Sequence, residues 1–426
     1  MYIHRLTLER FRGAQSLSLE FDKKLNVFVG MNGAGKSSIL DATAILLSWL
    51  VNRLKHAGAS GRPITETDIK NGESSANLEI LINHESQYLS WNIAKVRKGH
   101  SRKDVISALI LASETAKQMQ SAITESDGKV NLPLFAYYPV NRAVLDIPLR
   151  IREKHRFDLI SAYDESLTSG ANFRTFFEWF REREDLENEA RRDQQTIFAN
   201  TSTTEFPDPQ LEAVREALSR FMPEFKNLTV RRNPLRMEVE KQGERLTVNQ
   251  LSDGEKCLMA MVGDIARRIA IANPLRDNPL EGEGIILIDE IDLHLHPLWQ
   301  RMVIPKLTEA FPNCQLLIST HSPHVITHVR PENLFLLSMT HEGLKSLRPS
   351  ESYGKTVERV LEDLMGLETT RPNDVKEALR TLFEQIDRGE LESARQSILR
   401  LENQIGEDPE LVKANVLIKR KELIGK

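Results

Sequence analysis

The chain has 426 residues, 40% of them hydrophobic and 28% charged, ordinary values for a soluble globular protein with room for two or three domains or one large split domain. A net charge of −4 lacks the bulk basicity of a dedicated duplex-DNA binder, although local basic clusters can still hold nucleic acid. The apolar run Ile45 to Val51 is too short to cross a bilayer, no basic-then-apolar leader is visible, and Cys257 and Cys314 give neither a disulfide framework nor zinc-ligand spacing, so a reducing, cytoplasmic setting away from membranes is expected.

Alternation over Ile3–Leu8 and again at Leu17, Leu19 and Phe21 predicts two antiparallel strands joined by a turn at Gly13. Leu25–Val29 fits a short buried strand. From Lys36 to about Lys55, apolar residues Ile39, Leu40, Ala44, Leu46 and Leu47 recur at helical spacing. The stretch 56–75 reads as loop. Strands are predicted at Asn77–Asn83 and Gln87–Val96, a helix at Asp104–Ile123 and a strand at Leu134–Tyr138. Composition then shifts. Phe157 to Asn200 is rich in Arg, Glu and Asp, with Phe173, Phe176, Phe177, Trp179 and Phe180 gathered in its middle, which reads as a charged helix leaving an aromatic foot. With a second helix at Leu211–Phe225, residues 158–227 are expected to form an inserted helical arm. Strands resume at Leu228–Arg232 and Leu235–Lys241, and a helix starts near Ser252. Gly284–Ile288 reads as a strand, Pro297–Phe311 as a helix, Gln315–Ser319 as a strand, and the chain beyond Gly354 as helical and charge-laced. The expected organisation is an N-terminal lobe over 1–157, the arm over 158–227, a C-terminal lobe over 228–350 and a helical tail over 351–426.

Four segments carry chemistry. Gly30-Met-Asn-Gly-Ala-Gly-Lys-Ser37 fits the phosphate-loop pattern G-x-x-x-x-G-K-[ST] between a strand and a helix. Gly33 and Gly35 let backbone N–H groups turn inward on phosphates, and the helix N-terminus adds partial positive charge. Lys36 would reach the β- and γ-phosphates and Ser37 a magnesium ion, with Asn32 and Ser38 completing the cradle. In Gly284–Asp292, four apolar residues end in Asp289, placed to hold that magnesium, and Glu290, placed to polarise an attacking water. In Leu251–Lys256, Ser252 and the Gly254 backbone, followed by Glu255, cap a helix and make an anion site aimed outward. In QLLISTHSPHVI, His321 follows a strand. His321, His324 and His328 stand at i, i+3 and i+7, which with His294 and His296 suggests zinc, but no cysteine or carboxylate framework supports such a cluster.

LSDGEK resembles the LSGGQ signature of ABC-type ATPases, and phosphate loop, signature, acid pair and histidine stand in ABC order. LTLERFRGAQSLSLEF is similar to the SMC and recombination-ATPase branch. DEIDLHLHP and STHSPHVI resemble the "AAA-type" ATPases of bacterial anti-phage defence loci, among them the overcoming-lysogenisation-defect nucleases and the Septu ATPase. The likeness covers 1–50 and 246–340 well and 134–145 in part. It implies an α/β fold: an ABC ATPase head, with a mixed P-loop sheet, an antiparallel β subdomain, the inserted arm and the tail. It further implies that ATP and magnesium lie between two chains, held by Lys36, Ser37, Asp289, Glu290 and His321 of one and met by Ser252, Gly254 and Glu255 of the other. By the same likeness His321 senses the γ-phosphate, Asp292 lies in a loop that crosses the dimer interface, and Arg12 approaches the nucleotide.

Two departures stand out. Asp253 replaces the glycine of transporters, and YYPVNRAV stands where a magnesium-binding Gln belongs, leaving Asn141 or Arg142 to substitute. The lysogenisation-defect nucleases append a nuclease domain that needs a D-x-D pair, and none follows His321. The resemblance therefore implies a Septu-type ATPase, a homodimer or higher oligomer, working with a separate HNH-nuclease subunit and meeting DNA through that complex. The tail would serve assembly or docking. Two rival functions stay open: an SMC-like repair ATPase acting directly on DNA, and a nucleotide-locked scaffold with little turnover.

Overall fold

A computed structural model describes residues 1–100, 106–140, 157–168, 173–195 and 207–424. They fall into two compact units, Met1–Val357 and Glu358–Lys426, so the break lies at Val357 where 350/351 was expected.

The first unit opens with a hairpin, Tyr2–Phe11 (β1) and Ala14–Glu20 (β2), turning at Arg12 and Gly13 as the alternation predicts. Leu25–Gly30 (β3) leads into Lys36–Lys55 (α1), whose apolar positions Ile39, Leu40, Ala44, Leu46, Leu47 and Leu50 are all buried. Ser75–His84 (β4) and Gln87–Val96 (β5) then join the hairpin in an antiparallel sheet of order β2-β1-β4-β5. The next helix, Ile110–Glu125 (α2), starts later than its periodicity suggests. Asn92 and Ala108 exchange backbone hydrogen bonds at 3.1 and 3.2 Å, and that extended pairing keeps the chain out of helix until it is past.

Leu134–Tyr138 (β6) enters a second sheet. The segment expected as an arm is packed into the core over its described helices. Phe173–Gln195 (α3) buries Phe173, Phe176, Phe177, Trp179 and Phe180. Its acids Glu184 and Glu187 are buried too, because each finds an arginine. Glu187 takes both terminal nitrogens of Arg215 at 3.0 Å, from the helix Pro209–Phe221 (α4). Glu184 accepts from Arg232 at 2.6 Å and from the Val230 N–H at 3.2 Å, both in Phe225–Arg232 (β7). Leu235–Lys241 (β8) and Glu244–Thr247 (β9) complete the three-stranded sheet β7-β8-β9. Asp253–Ala272 (α5) lies against α3, where the Phe176 ring stands so close to Gly263 that an added Cβ would meet it at 2.8 Å.

Gly284–Ile288 (β10), Pro297–Ala310 (α6), Cys314–Thr320 (β11), a short helix Pro323–Ile326 (α7), Leu334–Thr340 (β12) and Gly343–Leu347 (β13) complete the unit. The second sheet runs β13-β12-β3-β11-β10-β6, parallel throughout except β13. β10 and β11 are buried along their whole length, which is why β10 reads as an unbroken apolar run and β11 carries Leu316, Leu317 and Ile318 at its centre. A phosphate loop following a central parallel strand, an antiparallel sheet beside it and helices after it make this an α/β ABC-type ATPase head.

In the second unit, Asn373–Arg388 (α8), Leu391–Ile405 (α9) and Pro409–Ile424 (α10) share one small core. Val375, Leu379, Leu382 and Ile386 recur at i+4 and i+3 on α8 and meet Ile398 and Leu401 of α9 and Leu411 and Ile418 of α10. Among the described residues no helix is long and apolar enough to cross a membrane.

Candidate nucleotide-binding site

Strand order assembles the site. β3, β11 and β10 are parallel neighbours, with Val29 opposite Thr320 and Ile318 opposite Ile288. Their carboxyl ends therefore deliver Gly30, His321 and Asp289 to one edge of the sheet, where ligands of open α/β sheets bind.

At that edge Gly33 and Gly35 turn the loop with φ of 80° and 87°, left-handed values that any side chain would strain. Gly35 is the N-cap of α1 and has no side chain there to occupy the helix's first N–H groups, so they are open to an anion. Lys36 is buried and its ammonium donates to the carbonyls of Gly30 and Met31 at 2.9 and 3.1 Å. Burial lowers its pKa, and the nearby charges of Glu290, Asp289 and Asp292 push back. Asn32 is exposed on the loop and Ser37 in the first turn of α1, where the neighbouring Ser38 is half-buried.

Asp289 is only 2% exposed and accepts from the Ser319 hydroxyl. The same Ser319 oxygen accepts the Glu290 N–H at 2.8 Å, and the Ser319 carbonyl accepts from Ile291 at 3.0 Å. Glu290 is thereby fixed at φ 47°, a left-handed conformation that costs a non-glycine residue about 1–3 kcal/mol and is found mostly where function needs it. His321 is half-buried. Burial, then the charge of Lys36, lowers its pKa against the opposing acids Asp292, Glu290 and Asp289. The structure thus brings Lys36, Asp289, Glu290 and His321 within electrostatic reach of one another.

Asp292, expected in a loop at a dimer interface, makes contacts within its own chain. Its Oδ1 accepts from Thr320 Oγ1 at 2.5 Å and from the His321 N–H at 3.3 Å, so it fastens the histidine loop from within. Ser319 and Thr320, which the motifs did not single out, hold Asp289, Glu290 and Asp292 in place. Their signal was there in the two hydroxyls that end a fully buried strand. Arg12 is held by a separate set of contacts. It donates to Asp41 on α1 and, through Nε at 2.9 Å, to Asp68, while Arg62 takes the other oxygen of Asp41 at 2.7 Å. Burial opposes its charge, but Asp41 and Asp68 raise its pKa above the ordinary value. Asn141 and Arg142 lie outside the described residues. His328 Nδ1 meets Thr327 Oγ1 at 2.9 Å, and no group of His, Cys, Asp or Glu among the described residues is arranged to hold a metal cluster of the zinc type.

The signature turn forms a complete capping box. Ser252 Oγ accepts from the Glu255 N–H at 3.4 Å, and Glu255 Oε2 accepts from the Ser252 N–H and hydroxyl, both at 2.9 Å. Lys241 of β8 grips the other Glu255 oxygen at 2.5 Å. Burial works against the Glu255 charge, but Lys241 and Ser252 together hold its pKa below the ordinary value. Gly254 presses on the loop after the acid pair, where an added Cβ would stand 2.3 Å from the His294 carbonyl oxygen. Ser252 and Asp253 are exposed and open onto a pocket of about 560 Å³ lined also by Leu258, His294, Leu295, His296 and Trp299, with no residue of the phosphate loop in it.

A family model described as an AAA domain matches residues 5–226, and another described as an AAA ATPase domain matches residues 152–326. The retron Ec83 probable ATPase of Escherichia coli is 33% identical over 425 residues, spanning 86% of this chain and 76% of its own. The retron Vc95 probable ATPase of Vibrio cholerae serotype O1 biovar El Tor is 30% identical, spanning 80% and 74%. The Septu protein PtuA of Bacillus thuringiensis is 25% identical, spanning 91% and 90%. Among solved structures, an SMC head bound to the C-winged helix domain of ScpA is similar with a TM-score of 0.47 at 18% identity, covering 82% of this chain and 98% of that one. The chain belongs to the family of AAA-domain ATPases that has the retron probable ATPases among its members.

Proposed function

We propose that this protein binds and hydrolyses ATP at sites shared between two copies, as the ATPase of an anti-phage defence complex that regulates a separate HNH nuclease. One observation carries the shared site. Lys36, Asp289, Glu290 and His321 converge on one edge of the sheet, while the signature turn opens outward onto a pocket that holds no residue of its own phosphate loop. An exposed helix start whose pocket is lined by no residue of its own phosphate loop has a use when a second copy brings a nucleotide to it.

Within one such site the glycine loop and Lys36 hold the phosphates. Ser37 and Asp289 would hold magnesium, which their all-oxygen donor set fits, and the ion would supply positive charge to the phosphate oxygens. Glu290 takes a proton from water as its oxygen bonds to the γ-phosphorus and the bridge to ADP breaks. His321, held neutral by burial and by Lys36, stands ready to hydrogen-bond the γ-phosphate and to register its loss. Arg12, through Asp41 one turn beyond Ser37, steadies α1. The likeness to the Septu protein PtuA and to the retron probable ATPases supports a defence role, and the HNH nuclease is the partner implied by the resemblance of DEIDLHLHP and STHSPHVI to Septu-type ATPases.

Steady-state turnover of the purified protein and of Glu290→Gln tests the chemistry. Hydrolysis lost in the variant, together with ATP-dependent dimers, is the expected result. Tight ATP retention with no turnover in the unaltered protein would instead make it a nucleotide-locked scaffold. Co-expression with an HNH nuclease encoded in the same locus tests the partner: the two should co-elute, and cutting should change with Glu290→Gln.

A further inference from the structure

The second residue of the phosphate loop, Met31, is 77% exposed. Its carbonyl serves Lys36, but its side chain is a long apolar group in water at a position where phosphate binding asks for none. The pocket beside the signature is its chemical counterpart. Leu258, Leu295 and Trp299 supply apolar and aromatic lining, and His294 and His296 form a rim. Leu298 and Met302, one turn apart on the same α6 that carries Trp299, are 63% and 41% exposed.

The pocket is built. Its floor is the contact of Gly254 with the His294 carbonyl, a closeness only glycine permits, and His294 itself is held at φ 63°. Such convergence of a strained loop and a glycine is not needed to finish a helix cap, which Ser252 and Glu255 already do.

We infer that Met31 of one copy inserts into the signature pocket of a second copy, so that the two nucleotide sites are closed by a pair of reciprocal methionine knobs. The inference rests on the shared-site proposal and deepens it. In a two-fold assembly, bringing the signature of one chain over the phosphate loop of the other necessarily does so twice. The loop's exposed apolar group then needs a cover, and the pocket adjoining the signature offers one in Leu258, Leu295 and Trp299, set among the polar groups of Ser252, Asp253, Glu255, His294 and His296. A thioether against Trp299 is a favourable sulfur–aromatic contact that tolerates small changes of fit. The knob gives ATP-driven association an apolar component beyond phosphate recognition, and the flexible methionine lets the same seat close and reopen with each turnover.

Disulfide trapping tests this in the full-length protein carrying Glu290→Gln and Cys257→Ser. Met31→Cys and His296→Cys are introduced on separately tagged copies and mixed. A cross-link between the two tags that requires ATP, and that neither single cysteine gives, is the expected result. Met31→Glu places a carboxylate at an apolar seat beside Asp253. It should weaken ATP-driven dimerisation by roughly a hundredfold, about tenfold for each of the two lost methionine seats, while Met31→Leu should stay near the unaltered protein. ATP-dependent dimers by light scattering with no cross-link, and with Met31→Glu associating normally, would overturn the knob and leave the shared site standing. A protein that stays single with ATP would overturn both.

Discussion

Gly254→Ala sets two effects of opposite sign against each other. Gly254 is the second residue of α5, and helix propensity alone favours alanine there by at most about 1 kcal/mol. The new Cβ, however, would lie 2.3 Å from the His294 carbonyl oxygen and 3.8 Å from the Leu295 Cα. Both are backbone atoms, so no rotamer change relieves the contact. Overpacking of this kind costs about 1–3 kcal/mol, and His294, already at φ 63°, has little room to absorb it. The clash outweighs propensity, and the loop is pushed off the signature helix. That loop also carries Asp292, which fastens the His321 segment, so the disturbance reaches the proposed nucleotide site. A net loss of about 1 kcal/mol would lower Tm by about 1 °C in a unit of this size, and the same loss felt at the transition state would lower ATPase activity about fivefold, since about 1.4 kcal/mol is tenfold. Scanning fluorimetry and steady-state turnover read the two effects separately. An alanine variant with a raised Tm and full turnover would refute the packing argument.

Glu290→Gln should lower kcat by about 10²–10⁴-fold, the usual worth of a positioned general base, while ATP binding persists by equilibrium dialysis. Lys241→Met removes the cation that holds Glu255 in the capping box. The pair is partly exposed, so stability should fall by less than about 1 kcal/mol in chemical unfolding, yet kcat should drop while KM changes little, and Lys241→Arg should restore it. His321 has a pKa depressed in the folded state, so on acidification the unfolded chain takes up the proton first. The stabilisation is present above the ordinary 6.5 and is lost as pH falls below it and through the depressed folded value. His321→Gln should therefore show a flatter dependence of unfolding free energy on pH across about pH 5 to 7, measured by denaturant titration. An unchanged slope would place the imidazole in solvent.

What was legible in the sequence was local. The phosphate loop, the strand that ends in Asp289 and the helix Lys36–Lys55 are contiguous patterns, each fixed by residues within a few positions of one another. The capping box at Ser252 was half legible, for its N-cap was clear and the reciprocal grip of Glu255 was not drawn. What escaped depends on partners far along the chain. The acids of α3 look like a solvated face until Arg215 and Arg232, some 28 and 48 positions away, neutralise them inside the core. Arg12 is claimed by Asp41 and Asp68 through a turn whose geometry no periodicity reveals. Asp292 turns inward because Thr320 lies beside it on the neighbouring strand, a consequence of register. The start of α2 at Ile110 was set by a single bridge to β5.

Complementation between two inactive chains tests the shared site most directly. Lys36→Ala lacks the phosphate grip, and Ser252→Arg fills the signature turn, so each alone should be inactive. In a mixed dimer one site combines the intact Lys36 of the second chain with the intact signature of the first. Equal mixing should restore about a quarter of normal turnover, since half of the dimers are mixed and each carries one sound site of two. Full activity of Ser252→Arg alone, or no recovery from mixtures that demonstrably associate, would contradict nucleotide held between two copies.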